Sequence, residues 1–350
     1  MIAERVRCHC WQLVCLLFVV IITSCGLDIL CIPVQKHILV LLKMSIPVVD
    51  FGAYSLSKED VTDDQMRNLS KELKTAFIEV GFVFLKNTGI TQEEVDGVMA
   101  ISKTFFLQPD EVKQPFSRKS FANNPNHGWV SLETEKLNPR RPGDLKEAFN
   151  YASLHPDIKW PSVKGFQEIQ TSFFQRCTEL SLRVLRVMAH SLGLNPEVFL
   201  SAHRLIGTDE NGTTLRSLYY PPVNHEKVKE GQLRCGEHSD YGSITLLFSS
   251  SEGLQVRKRS GEFICAPSVP GAALINVADL MQRWTNDQFV SVRHRVVLPP
   301  AGDSRTRQSL AFFVQPDDEA LITCCDGSNK YPPVTGGDYL MERFNASYGN

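Results

Sequence analysis

An excess of charge of one sign is what this chain most plainly lacks. Its 37 Lys and Arg stand against 39 Asp and Glu, for a formal net charge of −2. A nucleic-acid surface normally shows as a basic excess, so no nucleic-acid partner is expected. No block of like charges is long enough to form a tail, since "RKR" at Arg257 to Arg259 is too short. There is also no CxxC pair and no short, evenly spaced cysteine framework, which argues against a disulfide scaffold. No internal repeat or low-complexity segment is visible. What remains is an ordinary globular composition: 350 residues, 43% hydrophobic and 22% charged, enough for one large domain or two small ones.

The first 43 residues differ from the rest. They hold five of the ten cysteines, Cys8, Cys10, Cys15, Cys25 and Cys31. The other five (Cys177, Cys235, Cys265, Cys324 and Cys325) are thinly spread and read as free thiols in a reducing, cytoplasmic compartment. After Arg5 and Arg7 comes "WQLVCLLFVVIITSCG", an apolar run about as long as the core of a secretory signal. A second patch, "HILVLLKM", spans His37 to Met44, but Asp28 interrupts a clean span of about 20 residues. Three readings stand side by side for residues 1–43. They are a cleaved signal, a membrane anchor (either acting through residues 11–33), or sequence upstream of the true start at Met44. The sequons at Asn68, Asn211 and Asn345 decide nothing between them.

From Met44 the pattern is regular. "IPVVDF" reads as a short strand; Met66, Leu69, Leu73, Phe77 and Val80 then mark an amphipathic helix ended by Gly81. "FVFLKN" reads as a strand, and "TQEE" at Thr91 to Glu94 is a capping box opening a helix with Val95, Val98, Met99, Phe105 and Phe106 on its apolar face. Residues 120–165, rich in Pro, Asn, Gly and Trp, read as irregular. A long helix follows from Phe166, closed by Gly193 and Pro196. After about residue 205, short β-rich runs alternate with turns, the signature of an antiparallel sandwich or barrel.

Chemistry first suggests itself at "CGEHSDYGSITLLF", Cys235 to Phe248. With nine His in the chain, one H-x-D triplet arises by chance about half the time, so His238-Ser239-Asp240 alone is weak. His294, inside the apolar alternation "SVRHRVVLP", adds a second imidazole on a later strand. Residues i and i+2 of a strand share a face, so His238 and Asp240 can converge with His294 on one metal ion. Two His and one carboxylate make the facial set that suits iron(II) with open positions. On these three residues alone, a sheet histidine and two turn residues remain the simpler explanation. "RTRQSLAFF" adds Arg307 and Ser309 on one strand face. A guanidinium facing inward is costly unless it meets an anion, and it suits a carboxylate bidentately. A 2-oxo acid chelating the metal would present its far carboxylate there, with the Tyr220 phenol within reach. Arg305 faces the same way, and only Ser309 selects Arg307.

These blocks, in this order, resemble the isopenicillin N synthase-like branch of iron(II)/2-oxoglutarate-dependent dioxygenases. The resemblance is dense over "LRSLYYPP", "HSDYGSITLLF", "EGLQV", "PSVPGAALINVADLMQRWTND", "SVRHRVV" and "RQSLAFFVQP". It is looser over "IPVVDF", "AFIEVGFVFLKNTGI", "FFLQPDEVK" and "DLKEAFNY". It covers about 300 residues and leaves out the first 43. It implies a mainly β fold with α, a double-stranded β-helix (jelly roll) at 205–350 framed by a helical region at 44–204. It implies His238, Asp240 and His294 as iron ligands, and Arg307, Ser309 and Tyr220 as the 2-oxoglutarate contacts. Leu218 stands where the family usually has Asn, "WTND" at Trp284 to Asp287 replaces its "WSNG" turn, and the loop between His294 and Arg307 is a few residues longer.

The implied reaction is oxidation of an unactivated C–H bond of a small organic molecule, by hydroxylation or desaturation, with O2 and 2-oxoglutarate consumed and succinate and CO2 released. An iron oxidase of the same fold that uses no 2-oxo acid is the alternative, and a binding protein on a retained jelly roll is a third reading. Leu247, Phe312 and Val314 are candidates for the apolar shell around the metal. His127, Trp129 and Phe149 are candidates for substrate loops, as consistent with structural roles as with contact. Membrane contact is expected only if residues 1–43 act as an anchor.

Overall fold

The computed structural model describes residues 46–118, 126–138, 140–152 and 158–348, together with the backbone of two short strands, Val19–Thr23 (β1) and Gly26–Leu30 (β2). The chain divides into two units, Met1–Ser45 and Ile46–Asn350. β1 and β2 pair antiparallel within the first. The rest of the signal or anchor expected over residues 1–43 lies outside the described residues. Among the described residues no helix is long and apolar enough to cross a membrane.

The second unit is built on an eight-stranded and a four-stranded sheet. The larger runs β3 (Val48–Asp50), β4 (Phe82–Lys86), β12 (Ala272–Val277), β9 (Ile244–Ser249), β14 (Arg307–Val314), β7 (Thr214–Tyr220), β6 (Glu147–Tyr151) and β5 (Gly128–Val130). The smaller runs β11 (Phe263–Cys265), β10 (Leu254–Arg257), β13 (His294–Val296) and β8 (Cys235–His238). Pairing is antiparallel except between β3 and β4. Leu218, Tyr220, Leu274 and Ala311 of the large sheet pack with Cys235, Leu254, Val256 and Val296 of the small one, so the inner faces share one core. This is the jelly roll expected for the carboxyl half, with β3 to β6 extending its larger sheet.

The outer face of the large sheet carries the helices. α1 (Asp63–Glu79) opens on a capping box in which Thr62 and Gln65 exchange hydrogen bonds. α2 (Gln92–Phe106) opens on the Thr91–Glu94 box read from sequence, with bonds of 3.2 and 2.7 Å. α3 (Phe166–Ser191) is the long helix, and its Phe174 meets Phe312 edge-on at 5.0 Å. Gly81, at φ +74°, turns α1 into β4; a Cβ there would lie 2.4 Å from the Val290 carbonyl oxygen, so only glycine fits.

Within the stretch expected to be irregular, the described residues include β5 and β6, which extend the sheet beyond β7. "EAFNY" hides its alternation because both faces are buried. Ala148 packs into the core between the sheets, while Phe149 enters an aromatic cluster on the other side with Phe105, Phe106, Trp129 and Phe166.

Candidate active site

Strand pairing brings the three metal-binding candidates together. His294 on β13 lies directly opposite His238 at the end of β8, and their rings are 4.3 Å apart. Asp240, two residues past His238, points Oδ1 between them, 3.7 Å from His238 Nε2 and 3.6 Å from His294 Nε2. One ligand atom from each lies within 4.8 Å of the others, and this is the one such His/Cys/Asp/Glu group among the described residues.

The atoms turned away from this point are all tied. His238 Nδ1 meets the Gly236 carbonyl at 2.8 Å and His294 Nδ1 meets that of Val292 at 3.2 Å. A carbonyl only accepts, so each Nδ1 carries a proton and each Nε2 is the atom turned toward the shared point. Asp240 Oδ2 accepts from Thr245 Oγ1 at 2.7 Å and Asn276 Nδ2 at 2.8 Å, leaving Oδ1 for the shared point. Burial, reinforced by His294, pulls the His238 imidazole down to about 3, so it is neutral at physiological pH. Burial pushes the Asp240 carboxyl up, but the two imidazoles and the bonds from Asn276 and Thr245 outweigh it and hold the carboxyl below its usual range. Two imidazoles and one ionised carboxylate, each oriented by an outer partner, fit iron(II). Asn276→Leu is expected to weaken iron(II) binding roughly ten- to a hundredfold, read by anaerobic titration, because Asp240 loses one of its two orienting donors.

Arg307 is 1% exposed, and no carboxylate lies in ion-pair reach of it among the described residues. Its Nη2 donates to Ser249 Oγ at 2.9 Å, its Nη1 to Ser309 Oγ at 3.3 Å, and its Nε to the Glu252 carbonyl at 3.1 Å. Tyr220, across the β7–β14 ladder, lies under the guanidinium with 4.8 Å from Cζ to the ring centre. Burial pushes the Tyr220 phenol up, so it stays protonated and can donate. Arg307, Ser309 and Tyr220 line one cavity with His238, Asp240 and His294. A buried cation lacking an acid, in the same cavity as the triad, fits the far carboxylate of a 2-oxo acid. Arg305, the competing choice, is exposed and bonds Asp303 in the preceding turn.

Other expectations fare differently. Leu247 lines the cavity, but Phe312 and Val314 face the helices; Ala311 and Phe313 take the inward positions. The error is one of strand parity, since a one-residue shift reverses every side chain. Phe149 and Trp129 belong to the aromatic cluster behind the sheet, and His127 sits edge-on to Phe149, Tyr151 and Trp160. None of the three lines the cavities at the triad. A second cavity on the other side of His238 and Asp240 is lined instead by Asn126, Asn150, Arg216 and Gln315, and by Leu340 and Phe344 of α5 (Gly336–Tyr348). Asp279, which opens the short helix α4 (Asp279–Trp284), accepts from Ser239 Oγ at 2.9 Å, Ser291 Oγ at 2.6 Å and Arg343 Nη2 at 2.8 Å.

Comparison with known proteins agrees with this geometry. Residues 211–316 match the 2OG-Fe(II) oxygenase superfamily, and residues 46–170 match the N-terminal region described as non-haem dioxygenase in morphine synthesis. A 2-oxoglutarate-Fe(II) type oxidoreductase, ppzD, of Metarhizium rileyi is 31% identical over 312 residues, covering 80% of this chain and 86% of its own. The proline hydroxylase buaE of Petromyces alliaceus is 32% identical over 308 residues, covering 79% and 93%. A full-length Neurospora crassa protein, solved in complex with alpha-KG and thymine, superposes with a TM-score of 0.73 at 31% identity, over 87% of this chain and 97% of that one. The chain therefore belongs to the 2-oxoglutarate/iron(II) oxygenase superfamily. It is an oxidoreductase whose cofactors are iron(II), 2-oxoglutarate and O2.

Proposed function

We propose that His238, Asp240 and His294 hold the iron(II) and that Arg307, Ser309 and Tyr220 hold the far carboxylate of 2-oxoglutarate. The substrate then occupies the second cavity, on the other side of His238 and Asp240. Bound there, the metal and cosubstrate supply the oxidising power for attack on a C–H bond, with O2 consumed and succinate and CO2 released. The chain's own part is positioning. Gly236 and Val292 carbonyls fix the imidazole tautomers, Thr245 and Asn276 fix the carboxylate, and the inward apolar residues Leu218, Leu247, Ala311 and Phe313 keep water from the reacting atoms. The substrate is a small organic molecule, in the size class of the thymine bound by the Neurospora crassa protein. Residues 44–204 act as the helical frame and 205–350 as the jelly-roll domain. Cys177, Cys235, Cys265, Cys324 and Cys325 are free, which supports a reducing, cytoplasmic setting.

The observation that carries this reading is the buried, acid-free Arg307 in the cavity it shares with the triad. The test is succinate release by the purified chain. Release that depends on both iron(II) and 2-oxoglutarate is the expected result. Oxygen consumption indifferent to 2-oxoglutarate would sink the cosubstrate assignment.

A further inference from the structure

The second cavity distinguishes polar groups that are already committed from those that are not. Lys146 Nζ lies 2.9 Å from Glu135 Oε2 and also pairs with Asp144, while Arg216 Nη2 donates to Glu135 Oε2 at 2.8 Å. All four side chains are buried, and their charges sum to zero. Asn126 is committed as well, giving Nδ2 to Thr214 Oγ1 at 2.8 Å and accepting from Asn150 Nδ2 at 3.0 Å. What is left over is one amide oxygen and one whole amide. Asn150 is 2% exposed, and its Oδ1 accepts no hydrogen bond among the described residues. Gln315 is 7% exposed, and its backbone, not its side-chain amide, makes its hydrogen bonds there. Leu137, Leu218, Phe313, Leu340 and Phe344 supply the apolar wall.

We propose that this cavity selects an uncharged small molecule of the amide class, with an N–H and a C=O group beside a compact apolar part. The proposal rests on the reading of the adjoining triad as the oxidising centre. A buried acceptor left unpaired costs about as much as a lost hydrogen bond, so Asn150 Oδ1 calls for an N–H donor. Gln315 can give an N–H to a carbonyl. A free carboxylate or a substrate ammonium would have to leave water for a cluster whose charges already cancel, in which Lys146 and Arg216 are held by Glu135 and Asp144. Recognition by hydrogen bonds without net charge is what the uncommitted groups offer.

Saturation-transfer NMR on the full chain tests this without depending on turnover. The probes are the cyclic amides thymine and 2-piperidone, the zwitterions L-proline and L-pipecolate, and the free acid benzoate. The amides are expected to bind, and Asn150→Leu to weaken them about tenfold, the worth of one hydrogen bond. Gln315→Leu gives a second reading by the same measure should the first variant fold poorly. Tighter binding of the zwitterions or the acid, absence of amide binding, or amide binding indifferent to both variants would overturn the proposal. Succinate release by the unaltered chain is measured in parallel. Its loss would count against the oxidising centre while the NMR result still decides the ligand class.

Discussion

His294→Ala is expected to lower 2-oxoglutarate-dependent succinate release by more than about 100-fold, because losing even an outer partner of a metal ligand costs ten- to a hundredfold. The variant leaves His238 and Asp240, two donors where three converge. His294 lies on a three-residue strand paired on both sides, to Val256 and to His238, so no neighbouring side chain can swing into its place. Iron(II) affinity, measured anaerobically, should fall with activity. The Phe82 ring, edge-on to His294 at 5.6 Å, loses a neighbour, so a modest drop in thermal midpoint is also expected. Activity within tenfold of the unaltered protein would show that the metal is held elsewhere.

Arg307→Met should act on the cosubstrate alone, raising KM for 2-oxoglutarate by roughly 100-fold or more with iron(II) affinity unchanged. Hydrogen bonds to a charged group contribute about 1.5–3 kcal/mol each, and a guanidinium can offer a carboxylate two. Methionine fills similar volume without the charge, so packing against Tyr220 is largely kept. Arg307→Lys should recover only part of the loss, since an ammonium keeps the charge but not the fork. If KM for 2-oxoglutarate does not move in Arg307→Met, the far carboxylate binds elsewhere.

The proposed chemistry was more legible in the sequence than the place where substrate sits. His238, Asp240 and His294 could be found because a strand's period puts i and i+2 on one face and because a polar residue in an apolar alternation stands out. Arg307 was separable from Arg305 only through Ser309, and the structure explains why: β14 starts at Arg307, leaving Arg305 in the turn before it. The apolar shell expected at Phe312 and Val314 lies elsewhere because every position of β14 from Leu310 onward is apolar and the pattern carries no phase. Asn276 and Thr245, which hold Asp240, give no sequence signal, because their role exists only once β9 and β12 lie side by side. The second cavity was invisible for the same reason: Asn150, Arg216, Gln315 and Leu340 come from segments far apart in the chain.

Asp279 gives the last helix a second meaning. The same carboxylate fastens Ser239, between the first two proposed ligands, and Ser291, just before the third, and its remaining grip is on Arg343. Leu340 and Phe344, which flank Arg343, wall the second cavity. The C-terminal helix is thus a guy-rope as well as a wall: through one carboxylate, Arg343 is tied to both segments that carry the three proposed ligands.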